Sequence, residues 1–452
     1  MKHFTTLAAA LSTTLLVAAC GGNDGVRLSS MVSFGDSLSD VGTYKVGDVA
    51  TAGGGKFTVN GITVDDYNNP ASQNWTERVA AQLGLPAPCS AQTGLAGAGF
   101  LDPTAGPIVT VFHSGCFNYA QGGARVTLPI GPSNVANPDA GSKALGQLTV
   151  PVVTQIQNHL NIVKQFSGTE LVTVFAGAND VLQLLDELSL AAAAAGNAAF
   201  VQSLVAQFVA GAPAVNQQEA LGAIGAAVQT EAAKPSATAA SIVTAAATAA
   251  GTHALVNGYT NTAVANAAAI GAAAGADGMA AGAAYATAHG PDLVVAMGAA
   301  GAELASATRS QIVAKGAKFV AVLTLPDLSL TPASKAQSPE TQGLIHLMVT
   351  TFNTQLKAGL DNTANVRIID IYANINDQVA NKNAYDLTNV TAAACDLTKT
   401  ALEKVLLCTK DTLAAGDVSH YMFADTGGHP TPFELKILAG VVISDLTAAG
   451  WI

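Results

Sequence analysis

Phe34-Gly35-Asp36-Ser37-Leu38-Ser39-Asp40 follows a short apolar run, Met31 to Phe34. Read as a buried strand, that run stops abruptly at Gly-Asp-Ser. The glycine permits a sharp turn, and the serine hydroxyl is left at the strand's carboxyl end, where α/β sheets place their ligands. Taken alone, the tripeptide also describes an ordinary turn or a helix N-cap. Further continuous runs rich in Val, Ile and Phe occur at Phe117–Ala120, Leu171–Phe175, Lys318–Leu323 and Val366–Ile371. Such runs suit a parallel sheet buried on both faces. Helical patterns separate them at Trp75 to Leu83, Val150 to Phe166, Ser338 to Leu360 and Pro432 to Ala449. Ser338 followed by Pro339 is a helix start, N-cap then first position. This alternation predicts an α/β doubly wound fold, a three-layer α/β/α sandwich.

Three more segments lie downstream in order: Asn118-Tyr119-Ala120-Gln121-Gly122-Gly123-Ala124, Gly177-Ala178-Asn179-Asp180, and Asp425 to Thr431 (DTGGHPT). With the Gly-Asp-Ser turn, these blocks resemble the GDSL family of serine esterases and lipases, the SGNH hydrolases. The four letters match Ser37, Gly123, Asn179 and His429. The resemblance covers roughly residues 28 to 187 and 301 to 452 and implies a flavodoxin-like sheet of five parallel strands. It also implies Ser37 as nucleophile, His429 as base, and an oxyanion hole from the N–H groups of Ser37 and Gly123 with the Asn179 side-chain amide.

Ester hydrolysis needs a nucleophile, a base, a group that holds the base in one tautomer, and donors for the oxyanion. Asp425, four positions before His429, is the candidate for the third role. The family spacing is Asp-x-x-His, whereas here it is Asp-x-x-x-His. Gly427-Gly428 can absorb the extra residue, and a backbone carbonyl or Asp417 is the alternative partner. Asp36, Asp40 and Asp180 read as groups that satisfy turns and helix starts. His113, His159, His253, His289, His346 and His420 fall in no matching motif, and only His420 is near enough in sequence to compete with His429. No Gly-x-Ser-x-Gly elbow, phosphate-binding loop or dinucleotide fingerprint is present, so neither an ordinary α/β-hydrolase nor a nucleotide enzyme is expected. The reading requires no cofactor and no metal.

Between residues 188 and 300 alanine dominates and no strand pattern appears. Alanine is the best helix former, and small side chains let helices approach closely. This segment reads as an inserted bundle of about four helices beside the active-site edge. It divides the hydrolase domain into 29–187 and 301–452. It is a passive decoration, a cap shaping the acyl pocket, or a membrane-inserting segment. Asn257, Asn261, Asn266, Asp277 and His289 interrupt the candidate spans.

The 452-residue chain is half hydrophobic, only 11% charged and carries a net charge of −11. A sizeable core follows, and nucleic acid is excluded as a partner because its phosphates would be repelled. Lys2 precedes an apolar stretch, Leu7 to Ala19, of signal-peptide length. It ends Val17-Ala18-Ala19-Cys20-Gly21, which resembles a bacterial lipobox. Residues 1–19 would then be cleaved, Cys20 lipidated and 20–28 left as a tether. Gly22, in place of aspartate, implies outer-membrane sorting. The alternative is a secreted protein cut at Ala-x-Ala. Removing Cys20 leaves Cys89, Cys116, Cys395 and Cys408 for an oxidising compartment, with neighbours in sequence pairing as Cys89–Cys116 and Cys395–Cys408. Each bridge would contribute about 2–4 kcal/mol. Zinc is the rival reading, but no Cys-x-x-Cys spacing is present.

The expected activity is metal-free hydrolysis of carboxylic esters through an acyl-enzyme on Ser37. The substrate is a lipid, a polyester or an acylated small molecule. Gly55-Lys56-Phe57-Thr58 and Asn74-Trp75 loosely resemble the subgroup of secreted lipases and phospholipid–cholesterol acyltransferases, so acyl transfer to an alcohol is an alternative. A non-catalytic surface-binding lipoprotein on the same scaffold is another.

Overall fold

In the computed structural model, which describes residues 28–61, 73–95, 108–137, 145, 148–400 and 404–452, the apolar runs form one parallel sheet. The expected signal segment, 1–19, and the expected lipid site, Cys20, lie outside the described residues. Strands β1 (Ser30–Gly35), β4 (Glu170–Phe175), β5 (Phe319–Leu323) and β6 (Val366–Ile369) pair in the order β1-β4-β5-β6. Two smaller pairs flank it: antiparallel β2 (Gln92–Leu95) with β3 (Ile108–Phe112), and parallel β7 (Asn389–Ala393) with β8 (Tyr421–Phe423).

The expected strand at Phe117–Ala120 is the main departure. It does run along the open edge of β1. Ser33 N–H donates to Phe117 O, Tyr119 N–H to Ser33 O and Gln121 N–H to Gly35 O, at 3.0, 2.8 and 3.1 Å. Yet only isolated bridges form there, Ser33 with Asn118 and Ser90 with Asn118. The cause is one missing rung: the Gly35 N–H, which would continue the ladder to Tyr119 O, donates to Gln155 Oε1 instead at 2.9 Å. The sheet proper therefore has four strands.

Alternate strand residues face opposite layers, as the two-residue period requires. Val32, Phe34, Val172, Val174, Val320 and Val322 pack beneath α3 (Val152–Val163), α9 (Pro339–Leu360) and the end of α7 (Ala267–Ala307). Met31, Leu171, Phe175, Phe319, Ala321 and Leu323 pack against α2 (Trp75–Gln82) and α11 (Pro432–Ala448). Each large apolar side chain buried this way contributes roughly 1.5–3 kcal/mol. Short helices α1 (Gly47–Thr51), α8 (Pro332–Lys335) and α10 (Ile371–Ala380) lie in the connections. Cys89 and Cys116 are bridged, as are Cys395 and Cys408, with Cα separations of 5.0 and 6.1 Å.

The Ala-rich region holds α4 (Ala178–Ala210), α5 (Gln217–Ala232), α6 (Ala239–Val256) and most of α7. Its expected limits, 188 and 300, fall inside helices, because α4 starts right after β4 and α7 continues into the core. α7 leads to the amino end of β5, and α4 runs antiparallel to it. A Cβ on Gly196 would come within 2.8 Å of Gly278 O, and one on Gly282 within 3.0 Å of Ala192 O. Hence α4 points away from the carboxyl end of the sheet and α7 returns. Their outer halves join α5 and α6 around a separate apolar cluster that includes Phe200, Leu204, Phe208, Ile224 and Val228. By length and composition alone, α4 and α6 could each cross a membrane.

Candidate active site

Gly35 ends β1 where the backbone of β4 comes closest: a Cβ there would sit 2.4 Å from Phe175 O. Only glycine fits that approach. Gln155 of α3 grips the same residue from both sides, accepting its N–H at 2.9 Å and donating to its carbonyl at 2.8 Å. The turn that follows is closed by Ser39 N–H to Asp36 O and by Leu38 N–H to Asp36 Oδ1. Asn74, the N-cap of α2, donates to Leu38 O at 3.0 Å. Ser37 is thus held rigidly, 8% exposed.

Ser37 Oγ lies 2.9 Å from His429 Nε2, and His429 Nδ1 lies 2.6 Å from Asp425 Oδ2. The extra residue between Asp425 and His429 is taken up by Gly428, whose φ is +104°. Asp425 Oδ1 then accepts the N–H groups of Gly428 and His429, both at 2.9 Å. One carboxylate both orients the imidazole and closes the loop that carries it. Asp417, the alternative, accepts instead from Ser419 N–H and Oγ. His420 Nδ1 bonds Asp386 O, and its ring stacks on Phe433.

Burial opposes charge on His429, but the Asp425 carboxylate beside it and the nearby Asp36 outweigh this and raise its pKa above the ordinary value. Burial likewise works to raise Asp425, yet His429 and the two amides hold it below the usual carboxylate range. Asp36 is pushed up to about 7, chiefly by burial, against the Leu38 N–H that lowers it.

The glycine pair is pinned from below. Asp40 Oδ2 accepts Gly122 N–H at 3.0 Å, and Tyr44 Oη donates to Gly122 O at 2.7 Å. Gly123 has φ +83°, and a Cβ there would meet Thr149 Cγ2 at 2.7 Å. Asn179 Nδ2 donates to Ala124 O at 2.9 Å, leaving its second hydrogen for another acceptor. Among the described residues neither Ser37 N–H nor Gly123 N–H donates to the protein. Asp180 pairs with Arg125 at 3.0 Å and accepts Val126 N–H, which ties the start of α4 to the glycine loop.

Two features escaped the sequence reading. Gly55–Thr58 carries a bracing role: Phe57 stacks on His429, a Cβ on Gly122 would strike the Phe57 ring, and Thr58 Oγ1 donates to Pro430 O. A cavity of about 50 Å³ is walled by Leu38, Phe175, Leu328, Gly428, Pro430 and Glu434, and includes sequence neighbours of Ser37 and His429 but neither residue itself. A groove of about 670 Å³ is lined by Gln183, Glu187 and Leu190 of α4 together with Leu128, Pro129 and Ile130.

No protein-family model and no curated protein sequence matches the chain.

Proposed function

We propose that the chain is an exported serine carboxylic-ester hydrolase of the GDSL type. The observation that carries this is the unbroken hydrogen-bonded series Ser37–His429–Asp425, at 2.9 and 2.6 Å, at the carboxyl end of a parallel sheet. Its nucleophile and base lie within hydrogen-bond reach, and a third group orients the base. Ser37 Oγ attacks the ester carbonyl while His429 Nε2 takes its proton. Ser37 N–H, Gly123 N–H and the Asn179 amide receive the oxyanion. The alcohol leaves with the proton from His429, and the same imidazole then draws a proton from water to release the acid from Ser37.

If the edge segment 117–121 is counted, the strand order becomes 2-1-3-4-5, and β1 and β4 meet at the switch point where such folds bind ligands. That supports the flavodoxin-like reading. The two bridged cysteine pairs fit an oxidising compartment, and Cys20 is the proposed lipid anchor.

Labelling with a small fluorophosphonate tests the reading directly, because only an activated serine reacts. Stoichiometric labelling at Ser37, lost in Ser37→Ala, is expected together with hydrolysis of p-nitrophenyl acetate. An unlabelled Ser37 in folded protein supports the binding-lipoprotein alternative. For localisation, Cys20→Ser should release the protein from the membrane fraction or block its processing.

A further inference from the structure

Gln121-Gly122-Gly123-Ala124 forms a β-turn, closed by the Ala124 N–H donating to Gln121 O at 3.0 Å. Gly123, third in the turn, has φ +83°, whereas φ at Gly122 is not positive. That is the type II pattern. The central peptide of the turn carries Gly122 C=O on one edge and Gly123 N–H on the other, pointing opposite ways because the bond is trans. Rotating this plane by about half a turn converts type II into type I and exchanges the two groups. Glycine adopts either conformation. A side chain that would bias the choice has no room, since a Cβ on Gly122 would lie 2.1 Å from Phe57 Cζ and one on Gly123 2.7 Å from Thr149 Cγ2.

The orientation of this peptide is therefore left to hydrogen bonds at its two edges. Tyr44 Oη donates to Gly122 O at 2.7 Å and is the one donor to that oxygen among the described residues. The tyrosine is fully buried and packs edge-on to Phe57, with ring centroids 6.0 Å apart. Asp40 does not duplicate its role: Asp40 Oδ2 accepts the Gly122 N–H, which belongs to the preceding peptide. The opposite edge, the Gly123 N–H, donates to nothing among the described residues. The turn touches the proposed site at both ends. Gln121 N–H donates to Gly35 O at 3.1 Å, two residues before Ser37, and Ala124 O accepts Asn179 Nδ2 at 2.9 Å. Between them, Gly122 lies against the Phe57 ring that stacks on His429.

Resting on the hydrolase reading above, we propose that Tyr44 is a positioning residue that holds the Gly122–Gly123 peptide with its N–H toward the oxyanion and its carbonyl away from it. In the flipped turn Gly122 O would take the place of the donor and repel the developing charge. The Tyr44 bond also polarises the amide, because hydrogen bonds in series strengthen one another. Without the hydroxyl, Gly122 O is left buried and unpaired. That cost falls on the productive orientation alone, so the turn shifts toward the flipped one.

Tyr44→Phe in the full chain removes the hydroxyl and keeps the ring. On p-nitrophenyl acetate its kcat is expected to fall by about tenfold or more, toward the roughly 10²–10³-fold loss of one oxyanion donor, with KM nearly unchanged. An alkyl trifluoromethyl ketone, which forms a hemiketal oxyanion on the serine, should lose affinity by a similar factor, and a merely structural role would not link the two. Wild-type kcat in Tyr44→Phe overturns the proposal, as does a kcat loss with unchanged ketone affinity. A second measurement needs no variant. In a crystal structure of wild-type protein phosphonylated by a small fluorophosphonate, the phosphoryl oxygen should accept the Gly123 N–H while Gly122 O stays on Tyr44 Oη. A phosphoryl oxygen turned away from Gly123, or a flipped Gly122 carbonyl, overturns the proposal whether or not Tyr44→Phe folds. Fluorophosphonate labelling separates the two levels. Labelled protein with either of those results loses the Tyr44 role and remains a hydrolase, whereas unlabelled Ser37 in folded protein removes the hydrolase reading and the proposal with it.

Discussion

Phe57 lies nearly flat on the imidazole of His429, ring centroids 5.2 Å apart and planes 26° from parallel. The Cζ end of the same ring lies against Gly122, where no side chain could fit. Phe57 therefore fixes the spacing between the base and the glycine loop. Phe57→Ala should lower kcat on p-nitrophenyl acetate by about tenfold or more, since small displacements of a catalytic group are costly. Phe57→Leu should be milder. Steady-state kinetics alongside thermal unfolding checks this, and wild-type turnover in Phe57→Ala would remove the positioning role.

Asp425 uses both oxygens, one on the imidazole and one on two loop amides. An asparagine offers only one acceptor oxygen, so Asp425→Asn must abandon either the imidazole or the loop. Its kcat loss should approach that of Ser37→Ala and His429→Ala, on the order of 10⁴-fold, because the three act as one unit. Asp417→Asn should be nearly silent. The reverse pattern would transfer the role to Asp417.

His429 must be neutral to accept the serine proton, and its pKa is raised, first opposed by burial and then driven up by Asp425 and Asp36. The rate should therefore rise with pH through an ionisation above the ordinary value of 6.5. Asp36→Asn withdraws one negative group and should move that rise to lower pH. A pH profile of kcat/KM on a neutral ester measures the shift, and an unmoved limb counts against the Asp36 coupling.

His159 is buried among Phe34, Phe117, Tyr119 and Phe166, and its pKa is lowered to about 4, chiefly by burial. The folded protein binds fewer protons there than the unfolded chain between about 4 and 6.5. Stability from this group is whole above 6.5 and declines as pH falls toward 4, by about 3 kcal/mol in all. Urea unfolding across that range should show the slope in wild type and a flatter one in His159→Phe.

The outer apolar cluster, Phe200 to Ala274, shares none of its buried members with the cluster against the sheet. Replacing Phe200–Ala274 with a short Gly/Ser loop should leave the contacts at Ala192, Gly196, Gly278 and Gly282 intact and the sheet domain folded. Fluorophosphonate labelling of Ser37 should persist. Turnover of long-chain or polymeric esters should fall more than that of acetate, because remote contacts act at the transition state. Equal loss across chain lengths would make the bundle a passive decoration.

Legibility in the sequence followed contrast. The strand runs, the Ser338-Pro339 start and the cysteine pairs stand out against their neighbours, and the structure contains helix, strands and bridges there. Ser37, Asp425 and His429 could be marked from local motifs because each sits in a turn that needs particular residues. Alanine offers no contrast between faces, so nothing in the Ala-rich stretch announced that α4 begins at Ala178 or that α7 runs on to Ala307. Phe117–Ala120 looked like a full strand because its composition is right, while the Gly35–Gln155 bond that interrupts the ladder joins residues 120 positions apart. Phe57 was hidden for a related reason, since its partner His429 lies hundreds of positions away.

Asn179 occupies the first turn of a helix that does not stop at the domain surface. α4 continues for 33 residues, about 50 Å at 1.5 Å each. Asn179, the oxyanion donor proposed above, thus sits at the root of a helix whose far end belongs to the bundle, and the Arg125–Asp180 pair and the Asn179–Ala124 bond tie that root to the glycine loop. One continuous helix therefore joins the bundle to the proposed site.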